Sequence, residues 1–325
     1  MPFDLSSHPG RQSGYWEAPE ERLPSQTRPP SPQEIYRSQE LELSDGTAVF
    51  LRHWSPGSPR GRVLLLHGKG DHSGGFGPLA EELVARGWEV LAPDMRGFGR
   101  SDGIRCWIEH FGQYQADLEA IVEQVWPQPG ILQVWCGYSA GANWATEYAL
   151  AHPDQVQGLI LISPAFRIDH YFNRFTWGLL QVLDKVLPQL ALTGLYEPVR
   201  VTSLPEQQAV LAADPYVCGV TRARFTAELV RSGQRCLEQA HRLELPVLVL
   251  YTSADIVVNP AGAVEFARRL PQGEVYDFSC SRHDLLHDCQ AEAVQETLCQ
   301  WLDRHFPCRL GPRGKIERPS FCLLP

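Results

Sequence analysis

The chain has 325 residues, of which 43% are hydrophobic, and its formal net charge at pH 7 is −9. This length suits one large core with an inserted subdomain, and the absence of a lysine- and arginine-rich block argues against a nucleic-acid partner. The longest apolar stretches are far shorter than the roughly 20 residues that cross a bilayer. Residues 1–15 lack the apolar segment of a secretory signal peptide, so we expect a cytoplasmic protein.

The chain begins with a proline-rich polar segment, residues 1–36, which we interpret as an extension outside the folded core. Two strand-like segments then flank residues 44–46, whose Ser-Asp-Gly sequence predicts a hairpin turn. In the predicted strand 62–66 the four residues after Arg62 are all apolar, as expected of a strand that is buried on both faces. This strand leads into a glycine-rich loop at 67–75, and a helix is predicted over 76–86.

Strands and helices continue to alternate along most of the chain. The next predicted strands are 88–92, 131–136, 158–162, 246–251 and 274–278. The next predicted helices are 111–126, 260–270 and 292–305. Repeated alternation implies an α/β fold, with a mostly parallel sheet that is covered by helices on both faces.

Residues 165–242 interrupt this alternation, because they contain no apolar run typical of a buried strand. Apolar residues recur at intervals of three and four from Phe172 to Leu190 and predict an amphipathic helix. Further helices are predicted over 205–213 and 222–240. We therefore divide the chain into an N-terminal extension (1–36), a core (37–164 and 243–306), an inserted helical cap (165–242) and a C-terminal tail (307–325).

The segment Gly137-Tyr138-Ser139-Ala140-Gly141 lies between a predicted strand and an alanine-rich helical segment. It matches G-x-S-x-G, the nucleophile elbow, in which a serine protrudes from a sharp turn between strand and helix. The turn crowds its neighbours, so the positions two before and two after the serine must be small, and both are glycine. The positive end of the following helix would face a developing oxyanion. Ser139 is therefore the candidate nucleophile.

A serine nucleophile needs a base to accept its proton and an acid to orient that base. On this scaffold the chain order is serine, then acid, then histidine. Asp255 follows the first strand beyond the cap and is the candidate acid, whereas the alternative, Asp277, lies inside a predicted strand. His283 is the first histidine after the last strand and is the candidate base. His287 lies about one helical turn further on and is the alternative.

The oxyanion needs two backbone N–H donors. The amide of Ala140, directly after the nucleophile, is one candidate, and the amide of Lys69 in the glycine-rich loop is the other. The Lys69 ammonium would either favour an anionic group of the substrate or point into solvent. In the same region, we expect His67 to form hydrogen bonds within its loop rather than to react. Asp94 is expected to fix a tight loop beside the site.

We expect neither a metal nor a cofactor. His283 and His287 have the i, i+4 spacing of metal ligands, but no H-E-x-x-H motif accompanies them. The glycines of residues 67–75 match neither of the usual phosphate-binding patterns. The nine cysteines include no C-x-x-C pair, which favours reduced thiols over disulfides or zinc ligands.

These motifs together resemble the α/β-hydrolase superfamily. More narrowly, the chain resembles the monoacylglycerol lipase and lysophospholipase group, also called serine-aminopeptidase-like hydrolases. The matching segments are His67-Gly68-Lys69-Gly70-Asp71-His72-Ser73, Asp94-Met95-Arg96-Gly97-Phe98-Gly99-Arg100-Ser101, the elbow, Asp255 with Val257-Val258, and Arg282-His283-Asp284-Leu285-Leu286. The resemblance spans residues 38–306. Lys69 departs from it, because relatives usually have a small residue there, and so does Ala140, where relatives often have a bulkier one.

The resemblance implies an α/β-hydrolase fold and a serine hydrolase that acts through an acyl-enzyme on Ser139. The expected substrate is a monoacylglycerol, a lysophospholipid or a related lipid ester. The apolar helix of the cap would either cover an acyl-chain pocket or pack on the core, and its surface could contact a membrane.

Three alternatives remain open at this point. A serine aminopeptidase would need a carboxylate for the substrate ammonium, for which Asp169, Asp184 and Glu197 are candidates. An acyltransferase would use the same acyl-enzyme. A non-catalytic ligand-binding protein of the same fold would bind its ligand without turnover.

Overall fold

The computed structural model describes residues 36–128, 130–168, 173–192 and 197–307, together with the backbone of residues 309–310 and 316–317. The predicted N-terminal extension up to residue 35 and nearly all of the predicted tail lie outside the described residues. The strands are β1 (Tyr36–Glu42), β2 (Ala48–Trp54), β3 (Gly61–Leu66), β4 (Trp88–Pro93), β5 (Gln133–Tyr138), β6 (Gly158–Ile162), β7 (Ala191–Leu192), β8 (Thr221–Arg222), β9 (Val247–Tyr251), β10 (Gly273–Asp277), β11 (Arg309–Leu310) and β12 (Ile316–Glu317). The α-helices are α1 (Gly77–Ala85), α2 (Gly112–Val125), α3 (Ala140–Ala151), α4 (Arg174–Val186), α5 (Pro198–Val201), α6 (Pro205–Ala213), α7 (Ala223–Gln239), α8 (Ala261–Arg269) and α9 (Ala291–His305).

Eight strands form one sheet in the order β1-β2-β4-β3-β5-β6-β9-β10. The β1–β2 hairpin is antiparallel, and β2 is also antiparallel to β4. All other neighbouring strands of this sheet are parallel. Parallel neighbours require crossover connections, which here are helices, so the sheet is covered on both faces. The predicted mostly parallel α/β architecture is confirmed.

The core forms two layers, one on each face of the sheet. Every residue of β3 is buried, because alternate side chains enter opposite layers. Leu64 and Leu66 face the layer formed with α2, α3, α7 and α8. Val63 and Leu65 face the layer formed with α1 and α9. This two-sided burial explains why residues 63–66 of β3 are all apolar rather than alternating between apolar and polar.

Along the chain between β6 and β9, the described residues add no strand to this sheet. The described chain forms helices α4–α7 there, and β7 pairs with β8 as a separate two-stranded ribbon that the sequence did not predict. The helix α4 packs on α7, where Leu180 meets Ala223 and Ala227. We call residues 165–242 the cap segment. No helix among the described residues is both long enough and apolar enough to cross a membrane.

Candidate active site

The turn between β5 and α3 consists of Ser139 alone. Its φ is 52° and its ψ is −116°, a left-handed backbone conformation that residues other than glycine rarely adopt. The amide of Ser139 donates to the carbonyl of Ile162 at 2.9 Å, and its carbonyl accepts the amide of Ala165 at 3.2 Å. The neighbouring strand β6 and the residues after it therefore hold the strained turn in place.

The two glycines of the elbow have no room for a side chain. A Cβ atom on Gly137 would lie 2.3 Å from the carbonyl oxygen of Gly141. A Cβ atom on Gly141 would lie 2.2 Å from the carbonyl oxygen of Leu66. Both distances are far below van der Waals contact, so the backbone of α3 can approach β3 and β5 only with glycine at both positions. This is the steric requirement that the sequence pattern predicts.

Three side chains from separate parts of the chain lie within hydrogen-bond distance of one another. His283 Nε2 is 3.0 Å from Ser139 Oγ, and His283 Nδ1 is 2.7 Å from Asp255 Oδ2. All three residues are buried. They follow the carboxyl ends of β5, β9 and β10, which meet at one edge of the sheet because these strands are parallel. With its proton on Nδ1, His283 donates to Asp255 and presents the Nε2 lone pair to the serine hydroxyl.

The carboxylate of Asp255 is fixed by its own loop. Its Oδ1 accepts the amide N–H groups of Val257 at 2.8 Å and Val258 at 2.9 Å. These two bonds leave Oδ2 directed at His283. The Val-Val pair that the resemblance singled out therefore supplies the backbone donors that orient the Asp255 carboxylate.

The two alternative residues lie in other contacts. His287 Nδ1 is 2.9 Å from Asp284 Oδ2, and His287 Nε2 is 2.8 Å from the carbonyl oxygen of Gly75. Burial lowers the pKa of His287, but the nearby carboxylates and the Gly75 carbonyl outweigh that effect and raise the pKa to about 9. Asp277 accepts the amide of Ser253 at 2.8 Å. The geometry brings together His283 and Asp255 rather than these alternatives.

Two side chains that the sequence analysis missed support the loop of His283. Ser163 Oγ donates to the carbonyl of His283 at 2.6 Å, and Thr252 Oγ1 donates to the carbonyl of Ser281 at 2.8 Å. Ser163 and Thr252 directly follow β6 and β9. Their place at the carboxyl edge of the sheet was the signal that could have identified them.

Both residues that were predicted to donate amides to an oxyanion adjoin Ser139. Ala140 is the first residue of α3, where backbone N–H groups have no acceptor within the helix. Gly68 packs against the nucleophile, since a Cβ built on it would lie 3.1 Å from Ser139 Cβ. Lys69 follows Gly68 and lines the same cavity as Ser139. The amides of Lys69 and Ala140 therefore remain the proposed oxyanion donors.

His67 and Asp94 hold the loops behind Ser139. His67 Nδ1 is 2.7 Å from the carbonyl oxygen of Gly68, and Nε2 accepts the amide of Met95 at 2.9 Å. Burial lowers the pKa of His67 to about 4, and a neutral ring with its proton on Nδ1 satisfies both contacts. Asp94 Oδ1 accepts the amide of Ser73 at 2.7 Å. Both residues thus support the loops, as their sequence context predicts.

An open cavity lies beside Ser139 and His283, and its empty space is about 870 Å³ when the part open to solvent is included. Its wall is mainly apolar and includes Leu211, Phe225 and Leu229 from the cap segment. Ser139 and His283 therefore lie in the wall of a mainly apolar cavity.

The amphipathic helix α4 does not cover this cavity. The described lining from the cap segment includes residues of α5, α6 and α7 but none of α4. One flank of α4 packs on α7, while Phe175 and Val186 point outwards with exposed fractions of 79% and 68%. The expectation that this helix covers an acyl pocket is wrong for its described residues, because most of its apolar stripe faces away from the protein.

The described residues contain no group of three or more histidine, cysteine, aspartate or glutamate side chains that could hold a metal ion. The seven described cysteines are free thiols, and they are Cys106, Cys136, Cys218, Cys236, Cys280, Cys289 and Cys299. Cys308 and Cys322 lie outside the described residues.

A mostly parallel sheet with a serine elbow after β5, an acid after β9 and a histidine after β10 defines an α/β-hydrolase. Comparison with known families agrees with this class. The model of the Hydrolase_4 family, described as "Serine aminopeptidase, S33", matches residues 57–290.

Individual relatives indicate which group within this family the chain resembles most. Monoglyceride lipase from Homo sapiens is 31% identical over 252 residues, which cover 75% of this chain and 81% of the relative. Monoacylglycerol lipase from Mycolicibacterium smegmatis is 26% identical over 265 residues, which cover 80% and 94%. The crystal structure of Paleococcus ferrophilus monoacylglycerol lipase matches with a TM-score of 0.73 at 27% identity, covering 79% of this chain and 99% of the other. The chain therefore belongs to the Hydrolase_4 family, in its monoacylglycerol lipase-like group, and is a carboxylic-ester hydrolase.

Proposed function

We propose that the protein is a serine hydrolase that cleaves a lipid monoester, such as a monoacylglycerol or a lysophospholipid, through an acyl-enzyme on Ser139. The observation that carries this proposal is the chain of hydrogen bonds from Ser139 through His283 to Asp255, at the wall of an apolar cavity. The names of the relatives support the lipid substrate.

The proposed reaction begins when Ser139 Oγ attacks the ester carbonyl carbon and His283 Nε2 accepts the hydroxyl proton. Asp255 stabilises the imidazolium that forms, and the amides of Lys69 and Ala140 bind the oxyanion. His283 then returns the proton to the alcohol as it leaves. A water molecule, deprotonated by His283, attacks the acyl-enzyme and releases the fatty acid and free Ser139.

The aminopeptidase alternative has less support than the esterase, because the carboxylates considered for binding the substrate ammonium are not found in the described cavity wall. Asp184, one of its candidate carboxylates, forms ion pairs with Arg224 and Arg231 and does not line the cavity. Glu197 is also absent from the cavity wall, and Asp169 lies outside the described residues. Asp71 does line the cavity, and burial raises its pKa to about 6. Aminoacyl amides therefore belong in the test.

A substrate panel tests the reaction class. We expect monoacylglycerols with chains of four to sixteen carbons to be cleaved to free fatty acid, with kcat/KM at least about a hundredfold above that for aminoacyl p-nitroanilides. A glycerol or ethanol acceptor should yield little transfer product. Preference for the anilides, transfer as the main outcome, or tight binding without turnover would each contradict the proposal. The Ser139→Ala protein provides the background rate.

We also propose that the exposed stripe of α4 contacts a lipid surface. Phe175, Leu179, Val182 and Val186 follow the three- and four-residue spacing of one helical face, and all four are exposed. A stripe of this kind would bury apolar area in the interface between headgroups and acyl chains. It could bring the enzyme to a lipid substrate without lining the cavity.

Introducing charge into this stripe should weaken binding to membranes. The double variant Phe175→Asp/Val186→Asp is expected to co-sediment with phosphatidylcholine vesicles about tenfold less than wild type. Its rate on a water-soluble p-nitrophenyl butyrate should be unchanged. Gln181→Asp adds a charge on another face of the same helix and is the matched control. Equal partitioning of all three proteins would show that the stripe does not contact lipid.

A further inference from the structure

Two exposed cysteines lie side by side next to the loop that carries His283. Cys280 and Cys289 are exposed residues, whereas the other five described cysteines are buried or partly buried. Cys289 Sγ donates to the carbonyl of Cys280, and the sulfur and oxygen atoms are 2.9 Å apart. The proposed hydrolytic reaction uses neither thiol, so this pair has a chemistry of its own.

The loop formed by residues 281–288 has its two ends at these cysteines. The amide of Cys280 donates to Gln290 Oε1 at 3.0 Å, and the amide of Gln290 donates to Ser281 Oγ at 3.2 Å. Together with the thiol contact, these bonds join residues 280–281 to residues 289–290, which we call the loop neck. The segment is therefore a compact surface loop whose ends lie close together.

The separation of the two cysteines is compatible with a disulfide. Standard bond lengths place a carbonyl oxygen about 2.4 Å from the Cα atom of its residue, and a cysteine sulfur about 2.8 Å from its own Cα atom. With the 2.9 Å contact between them, these lengths limit the distance between the two Cα atoms to about 8 Å. Disulfides join Cα atoms that are about 4.4–6.8 Å apart, so closure requires the two chains to approach by at most about 1 Å.

Exposure also distinguishes this pair from the buried cysteines. Burial raises the pKa of Cys106 and the pKa of Cys299 to about 11, which keeps both thiols protonated and unreactive near pH 7. Cys280 and Cys289 are accessible to solvent and therefore to a dissolved oxidant. When two accessible thiols can reach each other, the oxidation product of one is captured by the other.

We propose that Cys280 and Cys289 form a reversible disulfide that closes the loop neck when the protein meets hydrogen peroxide. The sulfur of one cysteine attacks a peroxide oxygen and becomes a sulfenic acid, while the departing hydroxide takes up the thiol proton as water. The sulfur of the other cysteine then attacks the sulfenic sulfur, forms the S–S bond and releases a second water. Overall, the two thiols lose two protons and two electrons, and one peroxide is reduced to two waters. A dithiol reductant restores both thiols by exchange.

The disulfide would lock the loop without displacing His283. The carbonyl of His283 accepts a hydrogen bond from Ser163 Oγ at 2.6 Å. The carbonyl of His287 accepts one from Thr202 Oγ1 at 3.0 Å. These contacts hold the middle of the loop to the sheet edge and to the cap segment, away from the neck. Because a disulfide restricts the unfolded chain, we expect the oxidised protein to keep its activity and to resist heat better.

Peptide mapping tests the bond directly. The protein is treated with hydrogen peroxide, alkylated and digested with trypsin, which cleaves after Arg282 and so separates the two cysteines. We expect mass spectrometry without reduction to show peptides 270–282 and 283–304 joined together, with fragment ions that assign the bond to Cys280 and Cys289 rather than to Cys299. Treatment with dithiothreitol before digestion should release the two peptides.

The consequence for stability is measured on the same samples. Oxidised wild type should hydrolyse p-nitrophenyl butyrate within about twofold of the rate of reduced wild type, and its thermal midpoint should rise by roughly 2–5 °C. Cys280→Ser and Cys289→Ser each leave one sulfur without its partner and should show no rise with peroxide. Cys218→Ser, at a partly buried cysteine of the cap segment, is the matched control and should behave like wild type.

Three results would overturn the inference. Recovery of Cys280 and Cys289 as separate alkylated or sulfinic residues, or a bond from either to Cys308 or Cys322, would mean that the loop neck does not close. A rise in the midpoint that persists in Cys280→Ser would assign the stabilisation to another site. A loss of activity that requires both cysteines would mean that the bond displaces His283 instead of locking its loop. The peptide map does not depend on turnover, so its outcome is independent of the proposed function.

Discussion

Replacing Ser139 with alanine is expected to lower kcat for ester hydrolysis about a hundred-thousandfold to a millionfold, the scale seen when a serine hydrolase loses its nucleophile. The described side-chain contact of Ser139 Oγ is with His283 Nε2. Without the hydroxyl no acyl-enzyme can form, and the remaining amides and cavity can only bind the substrate. The variant should therefore retain affinity for the ester while its turnover approaches the background rate.

The fold should tolerate this substitution. Alanine keeps the backbone bonds of residue 139 to Ile162 and Ala165, and it removes a single oxygen from a strained turn. Strained active-site residues often cost stability, so the thermal midpoint should stay the same or rise slightly. A large fall in the midpoint would mean that lost activity reports unfolding rather than lost chemistry.

Covalent labelling gives the second measurement for this prediction. A fluorophosphonate should label wild type, because His283 activates the serine, and should not label Ser139→Ala. Ser58→Ala, at an exposed turn before β3, is the matched control and should be labelled like wild type. Wild type that resists the reagent, or Ser139→Ala that still reacts with it, would remove Ser139 from the proposed mechanism.

The sequence predicted the elements of the sheet well because their signals are local. The predicted strand at 62–66 became β3 (Gly61–Leu66), and the periodic segment at 111–126 became α2 (Gly112–Val125). The elbow could also be predicted from the sequence, because its two glycines form a recognisable local pattern. Both are required because the backbone around the turn packs too closely for a side chain. The order of the candidate site residues followed from the order of the strands, since each residue follows a strand end.

The sequence alone could not predict how side chains are oriented relative to distant parts of the chain. The spacing of α4 predicted an amphipathic helix, but its packing on α7 determines which face is covered. Lys69 could have pointed into solvent or into the site, and the cavity that it lines is completed by residues of the cap segment more than a hundred positions later. Ser163 acts on a carbonyl 120 positions away in sequence. Contacts between residues so far apart in sequence form only when the folded sheet brings the ends of its strands together.

Replacing His283 with glutamine should lower kcat about as much as the loss of Ser139, because nucleophile and base act as one unit. Glutamine can still occupy the space of the imidazole, but it cannot accept the hydroxyl proton. The same substitution at His287 should change kcat less than about tenfold, since His287 contacts Asp284 and Gly75 rather than Ser139. The two variants carry identical chemical changes four residues apart, so each is the control for the other.

His287→Gln should instead show its effect in stability, with a defined dependence on pH. The pKa of His287 rises from its usual value of 6.5 to about 9 in the folded protein. A raised histidine pKa contributes stability that is fully present below pH 6.5 and is lost as the pH rises through 9. The difference in thermal midpoint between wild type and His287→Gln should therefore be largest near pH 6 and should shrink towards pH 9.

These two readouts separate a base from a structural histidine. Substitution of the base lowers turnover at every pH at which the protein is folded. Substitution of the structural histidine instead changes the free energy of unfolding, and this change depends on pH between about 6.5 and 9. If His287→Gln abolished turnover and His283→Gln preserved it, the proton acceptor would have to reach Ser139 from the Gly75 side of the site. The loop 283–287 would then have to rearrange during catalysis, because the hydrogen bond from His287 to Gly75 holds it away from Ser139.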